Sequence, residues 1–142
     1  MLPFQPSTMR LFVLFVTVLV VRGFASPAQD PATSRTTASG VYSEEQAKRG
    51  EETYMNICVS CHTATEYKNK KFRAKWDGRP LSELYDLISQ KMPDDAPGSL
   101  MPKEYAQALA YILRLNEAAP GKDELPADSA ALKDIKIDFK DK

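Results

Sequence analysis

Two cysteines and the only histidine of the chain stand together as Cys58-Val59-Ser60-Cys61-His62. Thiols separated by two residues lie close on one turn, so both can bond one edge of a flat ligand and the next residue is aimed at its centre. C-x-x-C-H is the pattern of covalent haem attachment, in which the thiols add to the porphyrin's vinyl groups and the imidazole binds the iron from the proximal side. One haem c is therefore expected on Cys58 and Cys61, with His62 as an iron ligand. The competing uses of these residues are weaker. A zinc site needs a third and a fourth ligand, and no other Cys or His exists. A thioredoxin-like dithiol belongs in a β-α-β context, and no strand pattern appears. A disulfide closing so short a loop would stabilise little.

The second axial ligand decides whether the iron is closed or open to small molecules. A methionine there stabilises ferrous iron, raises the potential and fills the sixth position. Beyond the leader described below, the methionines are Met55, Met92 and Met101. Met55 lies three residues before Cys58 on the same helix, the wrong side for a distal ligand. Met92 ends a helix and precedes Pro93 and a turn-rich loop, a place from which a thioether can swing across a haem. Met101 directly precedes another helix and can also face the pocket. Met92 is the preferred ligand, ahead of Met101 and then Lys91.

Three main helices are expected to carry these groups. Ser43-Glu44-Glu45-Gln46 reads as a capping box opening a helix over about 43–57, with Ala47, Tyr54 and Ile57 on its buried side. Residues 63–79 are polar and basic without a clean period and read mostly as loop, anchored by Phe72 and Trp76. Pro80 opens a second helix to about Gln90, with Leu81, Leu84, Leu87 and Ile88 at helical spacing, and Pro93 prevents its continuation. Pro102 starts a third, roughly 103–116, with Tyr105, Leu109, Ile112 and Leu113 in one stripe. Past Pro120-Gly121 the tail reads as extended, with a short helical turn near 127–132. A core of about a dozen large side chains is marginal for such a domain, and a buried haem would supply the missing apolar surface.

The first 25 residues read as a targeting segment. Arg10 precedes an apolar run from Leu11 to Val21, too short for a comfortable bilayer span, and small residues follow at Gly23 and Ala25. Cleavage after Ala25 is expected, with an uncleaved membrane anchor as the alternative. Residues 26–41 are rich in Ser, Thr, Pro and Ala and read as a flexible linker; the domain proper is expected over 42–142. The 142 residues carry 19 basic and 19 acidic side chains. Removing the leader takes away Arg10 and Arg22, so the remainder is slightly acidic. This balance argues against a nucleic-acid partner.

The chain resembles a class I cytochrome c over about residues 41–137. Gly50, Tyr54 and Cys58, spaced by four, resemble the first helix of that family, and Ala110-Tyr111 resembles the aromatic of its last helix. Gly lets two helix backbones approach, and the two rings lock the crossing. A narrower likeness joins F-R-A-K-W-D-G-R-P-L-S-E-L from Phe72, K-M-P-D-D-A-P-G-S-L from Lys91, A-Y-I-L and E-L-P. It is similar to small bacterial cytochromes c and to cytochrome domains attached to quinoprotein alcohol dehydrogenases. The resemblance implies an all-α fold packed around one haem, Met92 as the distal ligand, and Trp76 and Arg79 as contacts for the haem propionates. It also implies a periplasmic electron carrier with redox proteins as partners, one candidate being a quinoprotein-type dehydrogenase, and with no substrate turnover of its own. The chain departs from the family after His62. Thr63-Ala64-Thr65 stands where a Gly and later a Gly-Pro are usual, so the acceptor that orients the imidazole is not identified by the sequence. Lys68, Lys70 and Lys71 form a short basic cluster near the expected haem edge, read as a solvated loop ahead of a steering patch.

Two other classes compete. A haem enzyme or gas sensor would keep the distal position open or labile. A thiol oxidoreductase would use Cys58 and Cys61 directly and be colourless.

Overall fold

Helix α1, Glu44–Thr53, starts where Ser43 Oγ accepts the backbone N–H of Gln46 at 3.1 Å. The cap is only half of the expected box. Gln46 does not turn back to Ser43; its buried amide crosses the molecule, accepting from Leu125 N at 2.8 Å and donating to Leu125 O at 2.9 Å. The computed structural model describes residues 35–139, so the leader and residues 26–34 lie outside the described residues. α1 passes directly into a π turn, Tyr54–Cys58, where Val59 N bonds Tyr54 O at 2.9 Å. Two short helices follow, α2 (Ala64–Lys68) and α3 (Lys70–Trp76). Then come α4 (Leu81–Lys91), α5 (Pro102–Leu115) and the single turn α6 (Ser129–Leu132). The described residues form no strand, only isolated bridges. None of their helices is long and apolar enough to cross a membrane.

α1 lies against α5 at very short range. A Cβ built on Gly50 would stand 1.8 Å from the carbonyl oxygen of Gln107, so only glycine admits this approach. One turn further on, the rings of Tyr54 and Tyr111 meet at 5.1 Å between centroids. The Gly-aromatic pairing read from the sequence is thus the crossing itself. The α5 stripe of Tyr105, Leu109, Ile112 and Leu113 is buried throughout, and Leu81 and Leu84 bury the matching face of α4.

The chain between 63 and 79 departs from the expected loop. Thr63 and Glu66 form a reciprocal capping box for α2, and Asn69 Oδ1 accepts from Phe72 N at 2.8 Å to start α3. Helices of five and seven residues are too short to show a period, and their local caps stabilise them instead. On α4, Leu87 is exposed and Tyr85 is buried in its place; the Tyr85 hydroxyl reaches the carbonyls of Pro102 and Ala127 at 3.3 and 3.2 Å.

The expected flexible linker is corrected in its last part. Residues 35–41 are docked along the C-terminal tail. Thr37 N donates to Lys136 O and Lys136 N to Arg35 O, both at 2.9 Å, while the buried Thr37 hydroxyl exchanges bonds with Asp138 N and O. Ile135 O and Ile137 N–H pair on the other side with Leu81 N and Arg79 O at 2.8 Å. Backbone pairing holds this segment, which composition does not reveal. The core is correspondingly larger than a dozen side chains. Val41, Tyr42, Leu125, Leu132, Ile135, Ile137 and Phe139 join the helical residues in it.

Candidate functional site

The π turn delivers the cysteines. Its wider coil ends at Cys58, and His62 N bonds Cys58 O at 2.9 Å, so Cys58, Cys61 and His62 ride on one tight turn. The His62 carbonyl is held by the Tyr54 hydroxyl at 2.5 Å. Tyr54 thus serves twice, in the crossing with α5 and as an anchor for the turn. The two thiols are not bonded to each other. Burial pushes the Cys58 thiol up from its ordinary range, so it stays protonated near neutrality. A thiol oxidoreductase needs the opposite, a thiol pushed down to thiolate.

A cavity of about 570 Å³ opens beside this turn. Cys58, Cys61 and His62 form one part of its wall, and Ile57, Tyr67, Ile88, Leu100 and Ile112 supply apolar surface. That volume is within the usual range of cofactor pockets, roughly 300–1,000 Å³. Met92 lines the same cavity from the end of α4, where its extended backbone (φ −121°, ψ 150°) terminates the helix. Tyr105 of α5 fixes the loop that follows. Its hydroxyl donates to Met92 O at 2.8 Å and accepts from Leu100 N at 3.3 Å, closing the loop at both ends. The sequence presented Tyr105 as one more member of an apolar stripe; its hydroxyl gave no separate signal.

Met55 and Met101 do not line the cavity, and both are more than half exposed, at 56% and 52%. Met101 instead caps α5, its N–H bonded to Glu104 Oε2 at 2.8 Å. Lys91, the third choice, and the two predicted propionate contacts Trp76 and Arg79 are also elsewhere. All three line a separate shallow groove along α4. Trp76 is buried in the core; Arg79 stacks over its ring, 4.7 Å from the centroid, and is ion-paired with Glu83. The cavity therefore gathers Cys58, Cys61, His62 and Met92 and leaves Trp76 and Arg79 outside. Arg79 is occupied by the i, i+4 carboxylate that the sequence placed beside it.

The imidazole acceptor that the sequence did not identify is Glu66. Its Oε2 lies 3.3 Å from His62 Nδ1, and its Oε1 is held by Thr63 N at 3.3 Å and Thr63 Oγ1 at 3.2 Å. The Thr63 N–H first, and then His62, hold the carboxyl below the usual carboxylate range. With Nδ1 so engaged, Nε2 is the ring nitrogen available to a metal. The signal was present in T-x-x-E directly after the histidine, at i, i+4 from it.

Two thiols beside an imidazole, a thioether on the same apolar cavity and a partner for the far ring nitrogen form a donor set that fits haem c. Cys58 and Cys61 would hold the porphyrin by thioether bonds, and His62 would ligate the iron. Residues 45–112 match the family model described as cytochrome C oxidase, cbb3-type, subunit III. That span runs from the start of α1 through the C-x-x-C-H turn and Met92 into α5. No curated protein and no solved structure matches the chain.

Proposed function

The chain carries a class I monohaem c-type cytochrome domain, whose covalently bound haem serves electron transfer, and from this premise we propose that it is an exported single-electron carrier with His62 and Met92 as axial ligands. The haem supplies Fe(III)/Fe(II) cycling when bound. The chain supplies attachment through Cys58 and Cys61, an imidazole steadied by Tyr54 and Glu66, and a thioether presented by a loop that Tyr105 ties down. The observation that carries the reading is the convergence on one cavity of Cys58, Cys61, His62 and Met92, while Met55 and Met101 stay outside it. A filled sixth position suits outer-sphere electron exchange and opposes the binding of gases or peroxide.

The electron partners are redox proteins. Two kinds are supported from different directions: the likeness at residues 72–137 favours a quinoprotein-type dehydrogenase as donor, and the description of the matching family favours a respiratory oxidase as acceptor. A carrier joining the two uses both. Periplasmic location rests on the apolar leader, and N-terminal sequencing of the exported protein decides between cleavage after Ala25 and an uncleaved anchor.

Optical spectra of the purified holoprotein, with and without carbon monoxide, test the axial pair. A sharp reduced α-band unchanged by carbon monoxide is expected for the natural chain. Met92→Ala should bind carbon monoxide fully, and Met101→Ala should behave as the natural protein does. A natural protein that shifts completely with carbon monoxide would instead establish an open, ligand-binding haem.

A further inference from the structure

The group facing His62 Nδ1 is a full carboxylate, and both of its oxygens are engaged. Oε2 faces His62 Nδ1 at 3.3 Å, while Oε1 is held by the Thr63 backbone N–H and hydroxyl. The Thr63 hydroxyl is itself paired with Thr65 Oγ1 at 2.9 Å. On its other side the His62 backbone is fixed by Tyr54 and Cys58, through bonds of 2.5 and 2.9 Å. Ring and carboxylate therefore meet by construction, four residues apart on one cap.

We propose that Glu66 is the positioning and tuning residue of the proximal side, its carboxylate holding the His62 ring by Nδ1–H and biasing the bound iron toward the ferric state. A partner on the outer nitrogen raises the basicity of an imidazole ligand, and an anionic partner does so more than a neutral carbonyl. A more basic imidazole donates more electron density and stabilises the higher charge on iron. The contact, at 3.3 Å, lies just beyond the usual hydrogen-bond range and Glu66 is half exposed, so the effect on the iron is carried through the ring that the carboxylate polarises and not through space. Met92 acts in the other direction, because a thioether favours ferrous iron. Glu66 acting through His62 and the thioether of Met92 would thus move the potential in opposite directions. This inference rests on the proposed function through His62.

The test uses the covalently haem-loaded protein as the natural chain and as Glu66→Gln, Glu66→Ala and Glu66→Asp. Midpoint potentials are titrated at low salt and at 1 M salt, where the Debye length falls to about 3 Å. The iron–histidine stretching frequency is read by resonance Raman in the ferrous Met92→Ala background, where the iron has lost its sixth ligand. Glu66→Gln and Glu66→Ala should raise the potential, keep most of that rise at high salt and lower the stretching frequency. Glu66→Asp keeps the charge and should recover part of both. Unchanged potential and frequency in Gln and Ala variants with intact haem overturn the proposal. A rise that disappears at 1 M salt with the stretch unmoved also overturns it, since it reports a remote charge alone. The outcomes that would sink the underlying function are separate: no covalent haem, or full carbon monoxide binding, in the natural chain. If Met92→Ala stays six-coordinate, the Met92 assignment falls, and the potentials still decide the role of Glu66.

Discussion

The two ends of the described chain and the wall of the cavity are built on different terms. Where residues 35–42 meet the tail, every element is finished by the protein itself: Thr37 is buried and bonded, Gly40 and Gly121 touch backbone to backbone, and Leu132, Ile135 and Ile137 are sealed. Around the cavity the polypeptide stops short. Cys61 and Val59 are exposed, Ile57 and Ile88 are half-buried, and two thiols stand unbridged. One region is folded by chain packing; the other leaves a cavity lined by Cys58, Cys61, His62 and Met92. The difference teaches that stability and function are separable here, and each can be attacked without the other.

The largest expected effect falls on the cavity side. Replacing Cys58 and Cys61 together by Ser should abolish covalently retained haem altogether, read as loss of visible absorbance after acid–acetone extraction. Next comes a cut in the sealed region. Leu132→Ala should cost about 2–5 kcal/mol of unfolding free energy, with or without haem. Ile88→Ala on the cavity wall should cost much less in the haem-free chain than in the loaded one. Equal losses in both forms for both variants would erase the distinction. Gly50→Ala forces α1 and α5 apart and should cost toward the upper end of about 1–3 kcal/mol, measured by denaturant titration. It touches neither ligand, so the spectrum should keep its bands.

The smallest effect is alkaline. Burial pushes Tyr42 and Tyr54 up to about 12 and raises Tyr67 as well. Because these phenols bind protons more tightly folded than unfolded, their contribution is whole below pH 10. It is then lost as the pH rises through about 12. Tyrosinate absorbance should therefore rise together with helix loss above pH 10, in a single transition. A phenolate signal that precedes unfolding would show that the tyrosines are solvated.

Much of this was legible from residues alone. The C-x-x-C-H turn, the Gly50–Tyr54–Tyr111 crossing and the α5 stripe all rest on spacing, which survives projection onto a helix; of the candidate methionines, Met92 lines the cavity and Met101 does not. Other features were not, for reasons that differ. Thr37 docks through its backbone and a hydroxyl, which hydropathy does not register. α2 and α3 are held by caps at Thr63 and Asn69, in segments shorter than any periodic window. Arg79 was assigned to a propionate because the family likeness places an Arg there, yet Glu83, four residues on, already takes its guanidinium. Glu66 was missed altogether, because a segment read as loop gave no reason to place a side chain four positions on against His62.

The pairing of Thr37 with Asp138 also sets an order of events. The two residues are 101 positions apart, so at a synthesis rate of roughly 5–20 residues per second the first docked segment waits about 5–20 seconds for its mate. The first and last described segments therefore close on each other only once the whole chain between them has been made, so a chain cut short of Asp138 loses the mate of its first docked segment as well as its own end.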